Sequence, residues 1–236
     1  MRVLFAVLKK EFRSYLASPM GYIYLVVFLI LSNWFFFRGF FLINQASLRS
    51  LFGMFPWLFL LFVPAITMRL WAEERKLRTL EVLLTLPVKD YQVALGKFLA
   101  SVAFLVLSLV LTLPLPLSIS LIGKLDWGQV VCGYLGAILL GASYLAIGLF
   151  ASSLSESQIV AFILGALFCF ILFLVGEEIV LYSMPTSIAS FLQHLGLGYH
   201  YDGIARGVID SRDVIYYLSV VVFFLYLNLR TLEVRR

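Results

Sequence analysis

Glu73, Glu74, Arg75, Lys76 and Arg78 fall within six consecutive residues of a chain in which only 13% of residues are charged. They sit in a polar island, Arg69 to Lys97 (RLWAEERKLRTLEVLLTLPVKDYQVALGK), set between long apolar runs. Glu74 and Arg78 are four apart and Arg78 and Glu81 three apart, so opposite charges can pair along a helical surface. Leu70, Leu77, Leu80, Leu83 and Leu84 recur at helical spacing and form an apolar opposite face. Pro87, which lacks an N–H, ends this helix ahead of a turn at Lys89 and Asp90. A solvated charged loop has no use for such an apolar face. The island therefore reads as a docking element, with lipid headgroups as the simplest rival to a protein partner.

Covalent and metal chemistry find little support. Gly96-Lys97 is followed by Phe98 and lacks the upstream glycine of a phosphate-cradling GxxxxGK[ST] loop, so the chain carries no nucleotide-hydrolysing motif of its own. His194 and His200 are six apart and form no HExxH pair. Cys132 and Cys169 lie within apolar runs and suggest neither a disulfide framework nor a metal site. Gly141-Ala142-Ser143-Tyr144 has a serine among small residues, but no second glycine follows it and no histidine stands in another span; close helix packing explains the pattern. The centres of the apolar runs carry essentially no ionisable groups, which disfavours proton- or sodium-coupled transport. Cofactors are expected to be absent from this chain.

The elements that position the island are membrane helices. With 62% hydrophobic residues and a mean hydropathy of +1.01, the chain reads as an all-α polytopic membrane protein. One transmembrane domain, 1–236, is expected, with six spans at 20–43, 51–68, 98–122, 128–150, 159–175 and 214–228. Residues 1–18 form a basic amphipathic segment, with Val3, Leu4, Val7, Leu8 and Phe12 opposite Lys9, Lys10 and Arg13. It lacks the clean apolar core of a cleavable signal, so the first span is expected to target the chain. Pro56 and Pro64 fall in the second span, and Gly133, Ala137 and Gly141, every four positions in the fourth, mark a packing helix. Residues 176–213 are read as two short outer interfacial helices broken by glycines. With the amino terminus inside, thirteen Lys and Arg fall in inner segments against five outside, which places both termini in the cytoplasm. The net charge of +5 is accounted for in this way, with no nucleic-acid partner.

The segment AEERKLRTLEVLLTLPVKDYQVALGKF, residues 72–98, resembles the pattern E-x-x-x-G-T-[LF]-E-x-L-L-x-x-P-[VI] of the ABC-2 exporter permeases. Glu74, Thr79, Leu80, Glu81, Leu83, Leu84, Pro87 and Val88 match, while Arg78 stands where many members have glycine, a departure expected to be mild on a helix surface. The opening KKEFRSYLASPMGYIYLVVFLIL and the segment YHYDGIARGVIDSRDVIYYLS also resemble the family, most closely its gliding-motility-associated members. The resemblance implies a non-catalytic subunit that dimerises with a second copy or homologue and docks a cytoplasmic ATPase holding ATP and Mg. It implies that Glu73, Glu74, Leu77, Arg78, Thr79, Leu80 and Glu81 form a coupling helix between second and third spans. The second and fifth spans would line the pathway, with Phe55, Phe59, Phe62, Phe168, Phe170 and Phe173 as its bulky apolar residues. Membrane lipids and an accessory periplasmic or membrane subunit complete the implied partners, in a bacterial plasma (inner) membrane. The rival reading is a non-transporting anchor or scaffold of a surface or motility machine.

Overall fold

The computed structural model describes residues 2–43, 47–79, 89–123, 125–182 and 185–234, and the described residues are helical, with no strand among them. The helices are α1 (Arg2–Ala17), α2 (Pro19–Ile43), α3 (Arg49–Thr67), α4 (Arg69–Lys76), α5 (Asp90–Val110) and α6 (Pro114–Ile122). They continue as α7 (Trp127–Leu154), α8 (Gln158–Leu174), α9 (Glu178–Leu181), α10 (Thr186–Leu195), α11 (Leu197–Ala205) and α12 (Ser211–Val234).

Among the described residues, five stretches are long and apolar enough to cross a membrane: Pro19–Gly39, Arg49–Lys76, Asp90–Leu121, Trp127–Leu154 and Ser211–Glu233. The chain is thus a multi-pass membrane protein. Of the six expected spans, the fifth is the short one: α8 has 17 residues, about 25 Å of helical rise. The third begins earlier than expected, because α5 starts at Asp90 and takes the last part of the polar island into its first turns. Leu111–Leu113 then break that span ahead of Pro114, which sits at the favoured first turn of α6.

The central helix is α7, packed against α3, α5, α8 and α12. Its small residues permit this closeness, as expected from their spacing: Gly141 faces Leu105 of α5, and Gly148 faces Thr67 of α3, with no room for a Cβ at either. Around it, Phe28 of α2 and Phe55, Phe59 and Phe62 of α3 form a buried aromatic cluster with centroid separations of 5.4 to 6.3 Å.

Pro56 illustrates how a membrane helix tolerates an interior proline. It has no N–H for the carbonyl of Phe52, four residues back, and that group would be orphaned in an apolar core. The Tyr201 hydroxyl of α11 donates to the Phe52 carbonyl at 2.9 Å. Burial pushes the Tyr201 phenol above its ordinary value, which keeps it a neutral donor. α11 is therefore fastened to α3. Among the described residues, 176–213 hold three short helices rather than two, with Gly196 joining α10 to α11. Leu197, Tyr201 and Ile204 of α11 are buried, whereas Ile188, Phe191 and Leu195 of α10 present an exposed apolar stripe. His200 ties α11 to α12 and α10, with Nδ1 2.6 Å from Asp213 Oδ1 and Nε2 2.9 Å from the His194 carbonyl.

Replacing Tyr201 by Phe removes one hydroxyl and leaves the Phe52 carbonyl unpartnered. The expected cost is about 1–3 kcal/mol, read as a lowered midpoint of thermal unfolding in detergent. An unchanged midpoint would show that the carbonyl finds another donor.

Candidate functional site

The site grows from the meeting of α1 and α5. On α1, Val7, Glu11 and Tyr15 recur every four residues and share a face. On α5, Gly96-Lys97, Ser101 and Phe104 face them. A Cβ on Gly96 would stand 2.9 Å from the Val7 side chain, so the glycine sets how closely the two helices approach. Tyr15 stacks on Phe104 with ring centroids 4.9 Å apart. The Val3, Leu4, Val7, Leu8 and Phe12 face of α1 is half-buried and Lys9, Lys10 and Arg13 are exposed, as the spacing predicts; the inward face also carries Glu11 and Tyr15.

Lys97 is the centre of this junction. Its side chain is only 2% exposed, yet its ammonium is fully occupied. It donates to Glu74 Oε1 at 2.7 Å, to Glu11 Oε1 at 3.2 Å and to the Leu70 carbonyl at 2.9 Å. The Trp71 ring lies 5.0 Å from Nζ and supplies a cation–π face. One cation thus holds three helices, α1 through Glu11, α4 through Glu74 and Leu70, and its own α5.

A second clasp fixes the joint between α3 and α4. The Ser152 hydroxyl of α7 donates to the Met68 carbonyl at 3.0 Å and accepts from the backbone N–H groups of Trp71 (3.1 Å) and Ala72 (3.3 Å). These are first-turn donors of α4 that its own backbone leaves without partners. Tyr15 completes the arrangement: its hydroxyl donates to the Ile66 carbonyl at 3.3 Å and lies 3.1 Å from Ser101 Oγ, while the Arg69 guanidinium sits 4.6 Å above its ring. Burial raises the Tyr15 phenol to about 12, partly opposed by the Ser101 hydrogen bond and the Arg69 charge.

The expected coupling residues divide into separate groups. Glu74 pairs with Lys97 rather than with Arg78. Glu73 is exposed and turns to the rim of a cavity shared with Arg69. Leu77 is 63% exposed, and Arg78 and Thr79 are exposed beside it. Leu80, Glu81 and the segment through Pro87 and Val88 lie outside the described residues. The helix expected to run on to Pro87 stops at Lys76, because Arg78 takes the left-handed conformation with φ of 55°. That region suits glycine and costs other L-residues about 1–2 kcal/mol, so arginine at the family's glycine position is not a mild departure.

The six phenylalanines expected on a pathway do not line one surface of the single chain. Phe55, Phe59 and Phe62 are buried against Phe28. Phe168 stacks on Phe150 at 6.2 Å, Phe170 is exposed, and the buried Phe173 meets Trp57 edge-on at 5.1 Å. Reasoning from sequence missed Glu11, Trp71, Tyr15 and Ser152 as partners, although a lone lysine inside a helical run beside a glycine was a signal that Lys97 needed a counter-charge. Ser143 donates to the Tyr217 carbonyl at 3.4 Å, a packing role. Among the described residues no group of three His, Cys, Asp or Glu could hold a metal ion.

A buried cation pinning an amphipathic helix to the base of two apolar spans is the central polar feature of this polytopic membrane protein. A family model described as ABC-2 family transporter protein matches residues 38–197, about two thirds of the chain, and the chain belongs to that family. It is accordingly a membrane component of an ABC transporter. The match excludes α1, so Glu11 lies beyond it, whereas Glu74, Trp71 and Lys97 lie within it. No individual curated protein matches significantly.

Lys97→Met would leave Glu11 and Glu74 facing each other without a cation, at a cost of about 3–5 kcal/mol. Glu74→Gln, which keeps a hydrogen-bond acceptor for Lys97, should cost less than half as much, and thermal unfolding in detergent ranks the two. Arg78→Gly should raise stability by about 1 kcal/mol, since glycine adopts the left-handed conformation freely; a lowered midpoint would contradict the backbone assignment.

Proposed function

We propose that this chain is the permease subunit of an ATP-driven ABC-2 exporter, and that the α4–α5 island receives movement from a separate cytoplasmic ATPase. The observation that carries this reading is the Lys97 junction. An element that merely rests on headgroups needs no internal clasp. A lever does, because a push at its tip is transmitted only if its base is stiff. The tip is the exposed Leu77-Arg78-Thr79 end of α4. The base is Lys97 with Glu74 and Glu11, backed by Ser152 on the central helix.

In this reading ATP and Mg are held by the ATPase, and the permease works as a dimer with a second copy or homologue. Six spans, with α8 as the fifth, put both termini in the cytoplasm of a bacterial plasma membrane. The positive-charge asymmetry supports that orientation. The buried Phe55, Phe59 and Phe62 then reach a pathway only through α2 moving off α3, a displacement that the α1 clasp is placed to drive. The likeness of three segments to gliding-motility permeases supports a role in surface machinery, and an accessory subunit is compatible with the exposed stripe of α10.

Co-purification with the candidate ATPase tests the reading. Leu77→Asp, at an exposed position, should lose the ATPase while the permease stays folded and monodisperse. Lys97→Met should keep some ATPase bound but lower its stimulated hydrolysis by about tenfold, a loosened lever rather than a lost contact. Retained binding and full stimulation in both variants would refute the coupling assignment and leave the non-transporting scaffold as the better account.

A further inference from the structure

A cavity of about 550 Å³ opens between α2, α3 and α8, and its floor reaches Tyr15 of α1 and Phe104 of α5. Its size falls within the range of ligand pockets, about 300–1,000 Å³. The body is apolar, lined by Ile23, Val27, Leu61, Phe62 and Phe104. Ile23, Val27 and Leu61 are also exposed on the outer surface of the apolar spans, so the cavity opens sideways to where acyl chains lie. Its rim has a different character. Arg69 and Glu73, one helical turn apart on α4, both line it, together with Ser18 and Gln158.

The two rim charges do not neutralise each other. Among the described residues neither Arg69 nor Glu73 forms an ion pair. Arg69 contacts the Ser18 hydroxyl at 3.4 Å and the Tyr15 side chain, over whose ring it lies. A guanidinium offers forked donors suited to a phosphate, and a carboxylate one turn away suits a primary ammonium. Within the cavity the Tyr24 hydroxyl is shielded from solvent and has no hydrogen-bond partner, an additional polar group available to a glycerol or ester oxygen. An apolar slot with a cation and an anion side by side at its mouth matches a molecule with an acyl chain, a phosphate and an amine.

We infer that this cavity binds a glycerophospholipid carrying a primary ammonium, a phosphatidylethanolamine, with one acyl chain in the slot, its phosphate on Arg69 and its ammonium on Glu73. A headgroup held there would bridge the start of α4 and the α1–α2 corner at Ser18. The lipid would then be part of the structure around the junction, beside the Lys97 clasp and independent of it. The inference does not rest on the ATPase reading, since binding is read on the permease alone.

Native mass spectrometry of the full chain in a non-ionic detergent provides the test, by titration with phosphatidylethanolamine, phosphatidylcholine and phosphatidylglycerol of identical acyl chains. Phosphatidylethanolamine should bind one to one and about tenfold more tightly than either other lipid, because choline cannot donate to Glu73 and phosphatidylglycerol has no ammonium. Glu73→Gln, and equally Glu73→Ala, should erase the advantage over phosphatidylcholine. Arg69→Gln should weaken all three lipids by about tenfold. Ile23→Trp, which fills the slot from an exposed position, should weaken all three without changing their order. Soluble phosphoethanolamine should not compete at the same concentrations. Equal affinity for the three headgroups, a preference for phosphatidylglycerol, an unchanged preference in Glu73→Gln, or competition by phosphoethanolamine equal to that of the lipid would each overturn the assignment.

Discussion

A lysine ammonium shielded from water needs acceptors in place of its lost hydration, and that constraint organises one end of the helix bundle. Burying an ion costs several kcal/mol unless opposite charge and hydrogen bonds replace its hydration. Lys97 meets the requirement with two carboxylates, a backbone carbonyl and an indole face, drawn from helices distant in sequence. Since each partner comes from a different element, satisfying the charge fixes the angle of α1 against α5 and the position of α4 against both. The same burial that makes the lysine demanding makes the junction specific: a displaced helix would expose an unpaired charge to an apolar core.

Elsewhere the apolar surroundings impose the same rule on the backbone. A carbonyl released by Pro56 finds the Tyr201 hydroxyl, and the joint between α3 and α4 is held by a serine from the central helix. In lipid, apolar side chains gain little by meeting each other, so close packing of small residues and internal hydrogen bonds supply the cohesion. The glycine face of α7 and its polar clasps are two halves of that solution. They leave α3 fixed at both ends, by Tyr201 near its start and by Ser152 just past its last turn.

Function enters where the fixed and the open parts meet. The proposed coupling makes the exposed end of α4 the free arm of a lever whose base is the Lys97 junction. Arg78 gives that arm a bend by accepting a left-handed backbone. Beside the base, Arg69 and Glu73 line the cavity, so one short helix carries three surfaces: an internal clasp, an exposed end and a charged cavity rim.

Composition and periodicity alone determined that this is a polytopic helical membrane protein, the order of its long apolar helices, and that α7 is a packing helix. These follow from the cost of unsatisfied backbone in lipid and from helical spacing, both local properties. The division of the island was beyond that reach. Glu73 and Glu74 are adjacent and chemically identical in the sequence, yet one faces a cavity and the other a buried lysine. The 100° that separates neighbouring residues on a helix assigns their faces, and only the packing of α1 and α5 decides what each face meets. Only the tertiary structure could decide as well that Phe55, Phe59 and Phe62 turn inward to Phe28, and that Glu11 and Lys97, 86 residues apart, form one ion pair. Long-range pairing depends on the summed geometry of the whole bundle, and no local pattern encodes it.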